Sequence, residues 1–166
     1  MEVRIIEFPE TKIAVAEHRG APELEYETSK RLIEWRIQNR LSPANHQTYG
    51  VHYTDPHTTS PADHRVDFCV TYEQPVQTNP QGIISKIIPA NRCALVRHLG
   101  SRSHNSAAVY LYREWLPHSG ESLTDFPIFF HYVNVGPNVQ EHEMVTDVYL
   151  PLKSQHGLTT GSRRTR

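Results

Sequence analysis

The side chains in this sequence that could do chemistry are its histidines, its two cysteines, two strand-borne aspartates and a ring-rich strand near the C-terminus. His52, His57 and His64 are separated by four and six residues across a loop, with no HExxH, CxxC or acid-rich loop nearby. That spacing matches no metal-ligand pattern, and no metal is expected. Cys69 (VDFCVTY) and Cys93 (RCALVRH) sit inside apolar alternating stretches. A nucleophilic thiol needs an accessible, electropositive turn, so both read as small buried hydrophobes with free thiols. No GxSxG, GxGxxG or P-loop stretch occurs, which leaves acyl transfer and phosphate cradling without a motif and implies no cofactor.

The ring-rich strand is PIFFHYVN, residues 127–134. It reads either as a core strand or as one whose rings line a pocket. Side chains alternate along a strand, so Ile128, Phe130, Tyr132 and Asn134 share one face, while Phe129, His131 and Val133 share the other.

The elements that position these residues follow from an internal repeat. FPETKIAVAEHRG (8–20) and IPANRCALVRHLG (88–100) align at an offset of 80, pairing Pro9 with Pro89, His18 with His98 and Gly20 with Gly100. The offset persists to Glu34-Trp35 against Glu114-Trp115 and Asp67 against Asp147, which points to a duplicated unit. Each copy reads as strand, helix, strand, strand. Strands are expected at 13–18, 49–54 and 65–72, then at 93–99, 128–134 and 144–150, with leading strands at 3–8 and 82–88. The helices are read from Leu24, Thr28, Leu32 and Trp35, and from Ala108, Leu111, Tyr112, Trp115 and Leu116; Pro117 and Gly120 are expected to stop the second. The predicted fold is α+β: two such modules sharing an antiparallel sheet, with two main helices and a central cleft. Module one spans 1–72, a hinge 73–81 and module two 82–153; the polar remainder, 154–166, reads as a disordered tail.

The offset carries the faces of 128–134 onto the first copy. Tyr49, Val51 and Tyr53 join Phe129, His131 and Val133 as a large apolar set, expected to pack under the helices. Thr48, Gly50, His52 and Thr54 join Phe130 and Tyr132 in a mixed set that either meets solvent or lines a cavity. The matched Asp67 and Asp147 are costly to bury unpaired. They either point to water or a cross-sheet partner, or form a pair of acids at the centre of the cleft. Trp35 and Trp115 lie on the apolar helix faces, as core anchors or ligand-stacking rings.

The totals narrow the function classes. The formal net charge is −1, and without residues beyond Lys153 the body carries fourteen basic against eighteen acidic residues. That balance argues against a direct nucleic-acid binder or a membrane-surface protein. The N-terminus, MEVRIIEFPETK, lacks the apolar core of a signal peptide, so a cytoplasmic location is expected. What remains from the residues alone is a small-molecule pocket between two related halves.

YGVHYTDP (49–56), PADHRVDFCVTY (61–72), CALVRHLGS (93–101), REWLPHSG (113–120), PIFFHYVN and TDVYLPL (146–152) together resemble the GyrI-like domains. That family comprises effector-binding domains of AraC-type and MerR-type regulators and stand-alone gyrase inhibitory proteins. The resemblance implies a fold of two strand–helix–strand–strand modules, and binding of amphipathic, often cationic, small molecules in an aromatic cleft. It implies a stand-alone member here, with DNA gyrase or a separate regulator as possible partners, and some relatives hydrolyse cyclopropane-bearing compounds. The family's strand reads Pro-x-Phe-Glu-x-Tyr, and Phe130 stands in the place of that cleft acid. A phenyl ring offers a cation–π contact but neither a full charge nor a general base. The expectation is therefore a binder, with ligand contacts from Phe130, Tyr132, His52, Asp67, Asp147 and Trp115. Catalysis, using His131, His52 or an Asp as the base, is the alternative.

Overall fold

The structure, a computed structural model, describes residues 1–154. The tail expected over 154–166 falls, apart from Ser154, outside them. The strands are β1 (Arg4–Phe8), β2 (Thr11–Arg19), β3 (Thr48–His52), β4 (Arg65–Thr71), β5 (Ile84–Ile88), β6 (Asn91–Leu99), β7 (Phe129–Tyr132) and β8 (Val145–Leu152). They form one antiparallel sheet in the order β1-β6-β8-β7-β3-β4-β2-β5. Exchanging each strand with its counterpart in the other copy reverses this order and leaves it unchanged. The repeat is thus a pseudo-two-fold axis, and it passes between β3 and β7, where Gly50 pairs with Phe130. The turns after β2 and β6 use Gly20 and Gly100 at φ of 122° and 111°, where a side chain would be strained.

Helix α1 (Glu25–Gln38) buries Thr28, Leu32, Trp35 and Arg36 against the sheet. Its apolar contacts are Ala14, Ala16 and Val70, and Trp35 meets Tyr72 edge-on at 5.1 Å. The counterpart runs as α2 (Ser106–Tyr110), a π turn (Leu111–Trp115) and α3 (Leu116–Ser119). Asn105 caps it by accepting the amides of Ala107 and Ala108. Pro117, expected to stop this helix, lies inside it, and Gly120 at φ 75° ends it. Pro117 sits in the first turn of α3, directly after the π turn, a position where a proline is tolerated. No helix among the described residues is long and apolar enough to cross a membrane.

The two faces of the sheet differ from expectation in one respect. Tyr49, Val51 and Phe129 do not pack under the helices. They join Phe8, Ile13, Val15, Cys69, Ile88, Cys93, Leu95 and Tyr149 in a cluster that contains no helical residue. Curvature explains the reversal. Phe8 and Tyr49 lie on strands four positions apart in the sheet, roughly 19 Å if it were flat, yet their ring centroids are 6.0 Å apart. The sheet curls toward this face and fills it with aromatic rings: Phe129 stacks on Tyr149 at 5.0 Å and meets Phe8 edge-on at 4.9 Å. The other face, carrying Thr48, Gly50, His52, Phe130 and Tyr132, is the one the helices cover.

Candidate functional site

The helices do not cover that face completely. A cleft of about 1130 Å³ lies between α1, the strands at the pseudo-two-fold axis and the loop after β7. Its floor is aromatic: His52 from β3, Phe68 from β4, and Phe130 and Tyr132 from β7. His52 lies over Phe130 with centroids 4.4 Å apart, and Phe130 meets Tyr132 edge-on at 6.3 Å. Gly50 makes this arrangement possible, since a Cβ there would sit 2.7 Å from the Tyr132 hydroxyl and 3.1 Å from its ring. One wall is α1, whose Leu32, Ile33 and Ile37 face the cleft; Ile33 and Ile37 are 51% and 72% exposed, leaving the rim apolar. The opposite wall is Arg102, Asn105, Thr146 and the Val135-Gly136-Pro137 turn.

Charge enters the cleft through Glu25, Arg36, Arg40 and Arg102. Arg36 is 8% exposed and donates to the Leu41 and His46 carbonyls and to the Thr48 hydroxyl. Arg102 donates to the Thr146 hydroxyl and to the Asn134 and Val145 carbonyls, and its guanidinium lies 5.1 Å from the Tyr132 ring centroid. Burial lowers the pKa of both arginines, but from a starting value so high that they stay charged. Glu25 Oε2 lies 2.6 Å from His64 Nε2, and His64 Nδ1 lies 2.9 Å from the Thr54 hydroxyl. Burial raises the Tyr132 pKa well above that of a free phenol. Burial, with help from the nearby His64, pushes His52 down to about 4, so it is neutral at pH 7.

Of the six residues expected to share the cleft, the structure brings together Phe130, Tyr132 and His52. It corrects the placing of the other three. Asp67 pairs with Val51 and Asp147 with His131 across their ladders, which sets both acids on the curled, aromatic face. Each is taken by a cross-sheet partner: Asp67 by Lys86 at 2.7 Å and the Tyr53 hydroxyl at 2.9 Å, Asp147 by Arg97 at 2.8 and 3.1 Å. Trp115 packs against the core cluster of Ala94, Val96, Leu111 and Leu150 and does not line the cleft. His131, named as an alternative base, stacks on Tyr49 at 4.8 Å on the aromatic face. Residues that the strand pattern missed are Glu25, Ile33, Arg36, Ile37, Arg102 and Asn105. A signal existed for two of them: Ile33 and Ile37 form an i, i+4 apolar pair off the Leu32–Trp35 stripe. No group of three or more His, Cys, Asp or Glu side chains that could hold a metal occurs among the described residues.

The model of the GyrI-like small molecule binding domain matches residues 1–153. The chain belongs to the GyrI-like family. This GyrI-like chain is 40% identical over 154 residues to the probable transcriptional regulator YgiV of Escherichia coli K12, covering 92% of this chain and 96% of that protein. It is 26% identical over 159 residues to a DNA gyrase inhibitor of Erwinia billingiae, covering 92% and 97%. Among solved structures it superimposes on the EcmrR C-terminal domain with a TM-score of 0.72 at 18% identity, covering 92% and 98% of the two chains. That likeness extends to the fold.

Proposed function

We propose that this GyrI-like domain works in the cytoplasm as an effector-binding module. It takes an amphipathic or aromatic small molecule onto the His52–Phe130–Tyr132 floor. The observation that carries this reading is the cleft itself: about 1130 Å³, aromatic below, aliphatic along α1, and polar at one end. That is the make-up of a small-molecule site, mostly apolar with a few polar groups to fix orientation. The match to a probable transcriptional regulator along nearly all of that relative's length supports an effector-binding role.

Hydrolysis finds less support in the geometry. His52 is neutral but faces Phe130 and the Tyr132 hydroxyl, at 3.4 Å, and among the described residues no carboxylate orients it. Glu25, the one carboxylate among the described residues that line the cleft, is engaged by His64. The test is a dye and drug screen read by calorimetry. Phe130→Ala and Tyr132→Ala should each weaken any hit about tenfold or more, the loss of one stacking ring and its buried area. Unchanged affinity in both variants would remove the cleft from consideration. The gyrase inhibitor relative favours a second reading, a protein partner. It predicts loss of gyrase supercoiling at near-stoichiometric ratios; full supercoiling at large excess would exclude it.

A further inference from the structure

The charged side chains of the cleft are unbalanced. Among the described residues, three guanidinium groups and one carboxylate line it, and that carboxylate already faces His64. Among the described residues no acid pairs with Arg36 or Arg102; both are held by neutral carbonyls and hydroxyls. A charge withdrawn from water without a counter-charge is costly, and two at one cleft call for a partner.

Their positions follow from the sheet register. Thr48 pairs with Tyr132 and Tyr132 with Thr146, so these three form one row across β3, β7 and β8. Arg36 is bonded to one end of that row and Arg102 to the other. The two threonines are two strand spacings apart, roughly 10 Å, and the Tyr132 ring lies between them. The Arg102 end also holds unused donors. None of its bonds within the described residues uses Nη1. Three residues on, the Asn105 side chain spends its oxygen capping α2, and its Nδ2 amide is buried with no acceptor among the described residues. Buried donors are rarely left orphaned, and an acceptor supplied from the cleft would explain this one.

We infer that the cleft selects amphipathic anions, seating an apolar body on Phe130 and His52 and an oxyanion head against Arg102 and Asn105. This deepens the binding reading above and rests on it.

The experiment compares probes of matched shape and opposite charge on the full chain. Tetraphenylborate and tetraphenylphosphonium report the field alone. Naphthalene-2-carboxylate, naphthalene-2-sulfonate and a 2-naphthyl trimethylammonium salt add a head group that can or cannot accept hydrogen bonds. Each anion should bind at least about tenfold tighter than its cationic match. Arg102→Gln and Asn105→Asp should each erase most of that preference, while Arg102→Lys should retain part of it. Asn105→Asp keeps the capping oxygen, so a loss of anion affinity in that variant with an unchanged melting temperature is not a folding defect. Arg36 is left alone because its bonds hold the 41–48 segment. The carboxylate and sulfonate arms distinguish the two head groups, and either one preferred over its cation supports the inference. Equal or tighter cation binding, or anion affinities unmoved in both variants, would overturn it while leaving the cleft reading intact. If no probe binds, or if Phe130→Ala changes none of the affinities, the cleft reading fails and this inference fails with it.

Discussion

The two faces of the β3–β7 pair are built from alternate residues of the same short strands, and they have opposite fates. Phe129 is fully buried among Phe8, Tyr49, Phe126 and Tyr149, with ring centroids at 4.9–6.3 Å. Its neighbour Phe130 is half-buried, touching His52 and Tyr132 on one side and open to the cleft on the other. One face is filled because the sheet curls onto it. The other stays open between α1 and the loop after β7, where the helices leave the strands at the pseudo-two-fold axis uncovered. The contrast separates residues that stabilise the fold from residues free to bind, within a span of one peptide bond.

Truncating the two rings should break the comparison most sharply. Phe129→Ala removes a fully packed ring and should cost about 3–5 kcal/mol of unfolding free energy. Phe130→Ala removes a ring already facing open space and should cost about 1–2 kcal/mol or less, because less area leaves a packed environment. Urea denaturation of the two variants measures the difference directly. Equal costs would mean that the cleft closes around Phe130 in solution, contradicting the open floor.

Gly50→Ala tests the same floor from beneath. The new methyl would meet the Tyr132 hydroxyl at 2.7 Å, and the backbone here needs no positive φ, so the cost is steric. Tyr132 can yield by swinging toward the cleft, and the expected destabilisation is about 1–2 kcal/mol. Ligand affinity should fall further than stability does. If stability falls and affinity does not, Tyr132 is structural rather than a contact.

Much of this was legible from residue types. The offset of 80 between the copies anticipated the reversible strand order, and alternation along 128–134 put Phe130, Tyr132 and His52 on one face. Which face the helices would cover was not legible. Tyr49, Val51 and Phe129 are the more apolar set, and a flat sheet would bury them under α1. Curvature is a collective property of eight strands, and it gave that set a different partner, the edge residues Phe8 and Ile88. The aspartates went with it, since parity ties Asp67 to Val51's face and Asp147 to His131's. The arginines escaped notice for a different reason: a charged residue on a helix normally reads as a solvated face, and only tertiary packing turns Arg36 inward.

His52 sharpens the comparison at its finest scale, through pH. Its folded pKa is about 4 against an ordinary 6.5, set mainly by burial and secondarily by His64. Between those values the unfolded chain binds the proton more readily than the native one, so stability must fall as pH falls through the window. Above about pH 6.5 the contribution is fully present; below about pH 4 it is lost. Because the ring borders an open cleft, the effect should be about 1–2 kcal/mol rather than the full value of the shift. His131, on the aromatic face, is shifted in the same direction by burial, with Arg97 adding to the shift and Asp147 opposing it, so the two must be separated by substitution. Glu17 and Glu121, held low by Lys86 and Arg92, act only below the ordinary carboxylate range. Urea midpoints of the native chain, His52→Gln and His131→Gln from pH 7.5 to 4.5 should show the largest flattening for His52→Gln. A slope unchanged by that substitution would mean that water in the cleft solvates His52 and that the floor is wetter than its rings suggest.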